Sequence, residues 1–153
     1  MGIGPSTKET TLHRFRDPLL DIMSADEDFD LMGIMLVGTP QDDVDKHFVS
    51  RRAAAWAECM RTNGAIVSSD GWGNSDIDLA NILEELGTRG IPAVGLKFSG
   101  KNGGFVVQND YLDNVLDINK STEGIETNVV GENNVTALDA RKACARLKLL
   151  MRK

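Results

Sequence analysis

The chain reads as a single α/β domain: a layered sandwich with a mainly parallel sheet flanked by helices, Rossmann-like or flavodoxin-like in plan. Three observations predict it. Apolar runs of strand length occur at 31–37, 64–69 and 91–98, and their continuous rather than alternating character is that of strands covered on both faces. Between them lie two segments whose apolar residues recur at helical spacing. The connections are short, so strand and helix alternate as they do in right-handed parallel crossovers.

Length and composition agree with that plan. At 153 residues, 41% hydrophobic and 26% charged, the chain has the size and balance of one ordinary globular domain. Residues 1–12 form an extended Gly, Pro, Ser and Thr rich arm, and 13–153 form the domain. A net charge of −6 argues against a general nucleic-acid surface. No apolar run is long enough to span a bilayer, so no membrane partner is expected. Cys59 and Cys144 fall on different predicted helices and read as reduced thiols, while His13 and His47 stand apart from any cysteine cluster, so no metal site is expected.

In chain order, a short segment around Phe15 to Met23 contains Pro18 and leads to an acidic link, Asp26-Glu27-Asp28. The first strand candidate, 31–37, ends at Gly38-Thr39-Pro40. Thr39 is placed as the cap of the next helix, with Pro40 in its first turn and Asp42, Asp43 and Asp45 at its positive end. Val44, Phe48, Ala55, Cys59 and, at the edge, Trp56 form its apolar side to about Arg61, which makes Cys59 a core residue. Thr62-Asn63-Gly64 breaks the helix.

The organising stretch follows, from Gly64 to Leu86. Ala65, Ile66 and Val67 are β-formers, and the run stops at the loop Asp70-Gly71-Trp72-Gly73-Asn74. The period then changes: Ile77, Leu79, Ala80, Ile82, Leu83 and Leu86 make one broad apolar side, and Ser75 with Asp78 resembles a capping box. A glycine loop entering a helix start offers unsatisfied N–H groups and partial positive charge to an anion or carbonyl. The candidate ligand- or partner-binding residues are therefore Ser68, Ser69, Asp70, Gly71, Trp72, Gly73, Asn74, Ser75 and Asp76. The competing reading is an ordinary strand-to-helix connection whose aspartates complement the dipole. Neither dinucleotide nor P-loop spacing is met. Trp72 is read as an anchor at an interface, since turn geometry does not call for a tryptophan.

Gly87-Thr88-Arg89-Gly90 supplies the helix stop, and the 91–98 run follows with Pro92 near its beginning. The glycine-rich loop 99–104, with Lys101, is an anion cradle or a wide turn, and the turn is favoured. A short strand at 105–107, a helical apolar side over 112–118 and a strand at 125–130 are expected. Thr136 caps a last helix, with Asp139 completing the box and Ala140, Cys144, Leu147 and Met151 on one side. Its basic end, including Arg141, Lys142, Arg146 and Lys148, is a solvated terminus or a face for an acidic partner. Loops 38–41, 68–76 and 99–104 should meet at the carboxyl ends of the strands.

Two stretches carry a resemblance: SSDGWGNSDIDLANILEELGTRGIPAVGL and GKNGGFVVQNDYLDNVLDINKSTEG. With them the chain resembles the D-proline reductase and glycine, sarcosine or betaine reductase component B family, and in particular its small stand-alone subunits. The resemblance implies a cytoplasmic component of an amino-acid reductase in Stickland fermentation. There a self-cleaved precursor bears a pyruvoyl group that takes up the substrate amine, and a partner subunit supplies a selenocysteine. This chain has no selenocysteine. No processing cysteine stands in an exposed loop, since Cys59 and Cys144 fall within predicted helices; were a pyruvoyl group to form from a serine instead, Ser68 or Ser69 would be the candidates. The expectation is an unprocessed relative with no cofactor of its own, the pyruvoyl group lying on a homologous subunit. Its partners would be that subunit and a selenoprotein, reached through residues 70–76 and the N-terminal arm, with a homo-oligomer left open. The alternative is an independent binding domain that holds an amino-acid carboxylate at Ser68, Ser69, Gly71, Gly73, Asn74 and Ser75.

Overall fold

A computed structural model describes residues 17–69, 73–100, 104–125 and 132–152. Helix α1 (Pro18–Ser24) starts with proline in its first turn and Asp17 as its cap, the Asp17 carboxylate accepting from the Leu19 N–H at 2.9 Å. Helix α2 (Asp43–Cys59) leads to strand β1 (Ala65–Ser68), helix α3 (Asn74–Thr88), strand β2 (Ala93–Lys97), a single 3-10 turn (Leu112–Asn114), strand β3 (Val115–Asp117) and helix α4 (Ala137–Met151). The strands form a three-stranded parallel sheet in the order β1-β2-β3. Ala65 pairs with Ala93 and Gly95 with Val115.

Alternation along β2 divides the core. Val94 and Leu96 belong to a cluster with Phe98, Ile118, Val135, Ala143 and Leu147, which joins the sheet to α4 and takes in Leu19, Met23 and Phe29 at its margin. A second cluster, Ala54, Ile82, Leu86 and Ile91, lies under α2 and α3, with Ala65, Val67 and Ala93 against it. Gly95 is required where it stands: a methyl group there would meet Val115 Cγ2 at 2.8 Å and Leu83 Cδ1 at 3.3 Å. Thr136 caps α4 with Asp139 in a reciprocal box, as the sequence predicts.

Several expected elements differ. The 31–37 run forms no ladder among the described residues, and Met32, Ile34, Met35 and Leu36 are exposed. Strand pairing is non-local, so apolarity alone does not supply a neighbour. Helix α2 is capped by Asp42, whose carboxylate accepts from the Val44 N–H at 2.9 Å, and Thr39 and Pro40 lie in its lead-in. Its expected apolar side faces outward: Val44, Phe48, Trp56 and Cys59 are exposed, while Lys46, Ser50 and Ala54 are buried. The small Ser50 and Ala54 bring α2 close to α3, and a long lysine reaches between them. Residues 105–107 form no strand. The 112–118 segment becomes the 3-10 turn and β3 rather than a helix, because Gly95 leaves room for Val115 beside β2. Of the expected strand at 125–130, all but Ile125 lies outside the described residues, as do the N-terminal arm, Lys101 and the loop residues Asp70, Gly71 and Trp72.

Candidate functional site

The carboxyl ends of the strands face the starts of α2 and α3. Gly73 adopts φ +65°, a conformation glycine takes without strain, and α3 begins at the next residue. The helix therefore starts ahead of Ser75, and the expected pairing of Ser75 with Asp78 is replaced by one between Gly73 and Asp76. The Asp76 carboxylate accepts from the Gly73 N–H at 3.2 Å, and the Asp76 N–H donates to the Gly73 carbonyl at 3.0 Å. Ser75 is freed for another role: its hydroxyl accepts from Lys97 Nζ at 3.2 Å.

Two lysines meet the helix start from opposite sides. Lys97, the last residue of β2, is 1% exposed, and its Nζ lies 2.6 Å from Asp76 Oδ1. Lys46, in the first turns of α2, is equally buried and donates to Asp78 Oδ2 at 2.6 Å. Buried cations are tolerated only when paired, so these two contacts fix the heights of α2 and β2 against α3. Asn74 adds a surface tie, donating from Nδ2 to Gln41 Oε1 at 3.1 Å. The first and second predicted loops thus meet in the described residues.

The third is drawn in differently. The Ser99 and Gly100 N–H groups donate to the two oxygens of the Asp117 carboxylate at 3.0 and 3.2 Å, and the Asn119 N–H donates to Oδ1 at 2.9 Å. The anion held by the start of the 99–104 loop is the chain's own, which agrees with the turn reading. Ser69 continues the sheet, its N–H donating to the Leu96 carbonyl at 3.0 Å. Ser68 and Asn74 are exposed, and Gly73 and Ser75 are half-buried. The sequence singled out the α3 start but not Lys46, Lys97 or Asp117. The fit of a 3.6-residue period to α2 gave no sign that a lysine would occupy its inner side.

The four side chains considered for a pyruvoyl group do not fit one. Cleavage before Ser68 would cut β1, and cleavage before Ser69 would remove the amide that bonds Leu96. Cys59 ends α2, and Cys144 is buried in α4, where burial first and the Asp26 charge second push its thiol up. Among the described residues no cluster of His, Cys, Asp and Glu could hold a metal ion, and no helix is long and apolar enough to cross a membrane. At the far end of the sheet, a cleft of about 630 Å³ is lined by Asn63, Pro92, Tyr111 and Asn114 among others. Its few polar groups point to no particular ligand.

A family model described as glycine/sarcosine/betaine reductase component B subunits matches residues 2–115. The D-proline reductase proprotein PrdA of Acetoanaerobium sticklandii is 42% identical over 146 residues, which are 95% of this chain and 23% of that protein. The chain thus spans about a quarter of the length of that curated relative. No solved structure matches.

Proposed function

Because this chain belongs to the glycine, sarcosine and betaine reductase component B family, we propose that it acts as a small, unprocessed subunit of an amino-acid reductase complex, with D-proline reductase the first candidate. On this reading the pyruvoyl group and the selenocysteine reside on other chains, and the complex assembles in the cytoplasm. The observation that carries the proposal is that Ser68, Cys59 and Cys144 lie within a strand or helices, and Ser69, next after β1, bonds its N–H to the Leu96 carbonyl. A chain that must cut itself needs an exposed, strained peptide bond, and none of these four provides one.

The crevice supports a docking role over an independent binding domain. Lys46 and Lys97 are each matched by an internal carboxylate, and the Ser99 and Gly100 amides are taken by Asp117. Exposed Ser68 and Asn74, with the adjoining residues 70–72, are the proposed contact with the larger reductase subunits. The test is the intact mass of the chain, alone and after coexpression with those subunits. The expected result is the full translated mass with co-purification of a partner, and an Asn74→Ala variant that folds normally but is captured less. Two fragments, one carrying a carbonyl that reacts with hydrazine, would overturn it.

A further inference from the structure

A second surface begins beside the crevice and runs along α2. Strand β1 is paired on one side only among the described residues, and Val37, at the end of the 31–37 run, packs against the Ala54, Ile82, Leu86 and Ile91 cluster that Ala65 and Val67 of that strand also line. Helix α2 turns Ser50 and Ala54 toward α3, so the stripe formed by Val44, Phe48, Trp56 and the cap residue Met60 faces the other way. The run therefore ends beside α2, whose Ala54 shares that cluster, and the run and the stripe are neighbours on the β1 side of the molecule. Four large apolar side chains of the run and four along α2 and its cap are between 38% and 75% exposed.

The geometry points to a second copy of this chain as the occupant of that edge. A stable dimer buries on the order of 800 Å² per partner. Eight such side chains, at roughly 100 Å² of accessible surface each, present about that area. An isologous interface must also complement itself. Before Phe48, α2 and its cap expose Asp42, Asp43 and Asp45, and after it α2 exposes Arg51 and Arg52, with Glu58 in its last turn. Two antiparallel copies of α2 crossing near Phe48 set Asp43 and Asp45 of each beside Arg51 and Arg52 of the other. The run is equally suited: residues 31–40 carry no charge, so antiparallel pairing about Ile34 sets Met32 opposite Leu36 with no like-charge contact. An exposed apolar run beside a sheet edge would otherwise invite aggregation.

The interface needs only copies of this chain, so its test needs no reductase subunit. Light scattering of the purified full chain should give twice the 16.7 kDa chain mass in the micromolar range. Phe48→Asp and Leu36→Asp should each halve that mass and keep the parent circular dichroism spectrum. Val106→Asp, at a residue 60% exposed outside the edge, should leave the dimer intact. Ile34→Cys in a Cys59→Ser background should become disulfide-linked under mild oxidation, and this decides the matter where an aspartate variant fails to fold. A monomeric parent, a dimer that survives both aspartate variants, an unlinked Ile34→Cys chain, or an edge that is covered only by a reductase subunit would each overturn the inference.

Discussion

Neutralising one member of the Lys46–Asp78 pair is the most direct perturbation of the structure. Asp78→Asn removes the charge that Lys46 Nζ meets at 2.6 Å, in a place where the two side chains are 1% and 5% exposed. The stranded ammonium then has neither water nor a carboxylate. Breaking such a pair from one side costs about 3–5 kcal/mol, a large share of a domain stability of roughly 5–15 kcal/mol. At about 2–4 °C per kcal/mol for a chain of this size, the midpoint should fall by roughly 6–20 °C. Lys46→Met should cost a similar amount, because it leaves the Asp78 carboxylate buried. Replacing both, as Lys46→Met with Asp78→Leu, should recover most of the loss, since a well-packed apolar pair substitutes for buried ions at little cost. Thermal and urea unfolding followed by circular dichroism measure all three. Single variants that melt within about 1 °C of the parent, or a double variant no better than the worse single, would refute the claim that this pair locks α2 onto α3.

Four further outcomes follow from named residues. Gly87→Ala drives a methyl group into the ring of Tyr111, so a loss of about 1–3 kcal/mol is expected from chemical denaturation, with Tyr111→Ala in the same chain relieving part of it. Burial pushes the Asp139 carboxyl up, but the Lys120 ammonium 2.8 Å away and the Thr136 N–H and hydroxyl outweigh it and hold it below its ordinary 3.8. A lowered carboxyl stabilises the fold above that ordinary value and loses its contribution as pH falls through the lower one, so Asp139→Asn should flatten the acid limb of the melting profile below about pH 4. Bonds to Asp26 and then Asp28 raise Lys148 above its ordinary 10.5, so its contribution persists through neutral pH and fades only beyond that value, and Lys148→Met should remove the alkaline limb. In a thiol assay of the native chain, Cys59 should react quickly and Cys144 only after unfolding; two fast thiols would contradict the buried placement of Cys144.

Sequence reading succeeded where a signal is local. The change of period after Ser69 announced β1, the glycine loop and α3, and Thr136 with Asp139 announced α4, because caps and periodicity involve residues within a few positions of one another. It misplaced the inner side of α2 for the opposite reason. That side is made of Ser50, Ala54 and Lys46, and the burial of Lys46 depends on a carboxylate 32 positions away. The same holds for the start of α3. Ser75 looks like a cap until Lys97, 22 positions on, claims its hydroxyl. The 31–37 run has the apolar pattern of a covered strand but no partner among the described residues, and no local pattern records whether one is present.

The clasp of Lys148 onto Asp26 and Asp28 brings α4 back to the link that follows α1, joining residues 122 and 120 positions apart. A unit whose first and last helices meet is modular: it can be spliced into a longer polypeptide through two neighbouring junctions without disturbing its interior. That arrangement suits a family in which a relative of several times this length carries the same stretch as one part of a larger chain. It also makes circular permutation practicable. Joining residue 17 to residue 152 by a linker and opening the chain at an exposed turn should leave the parallel sheet and its order unchanged.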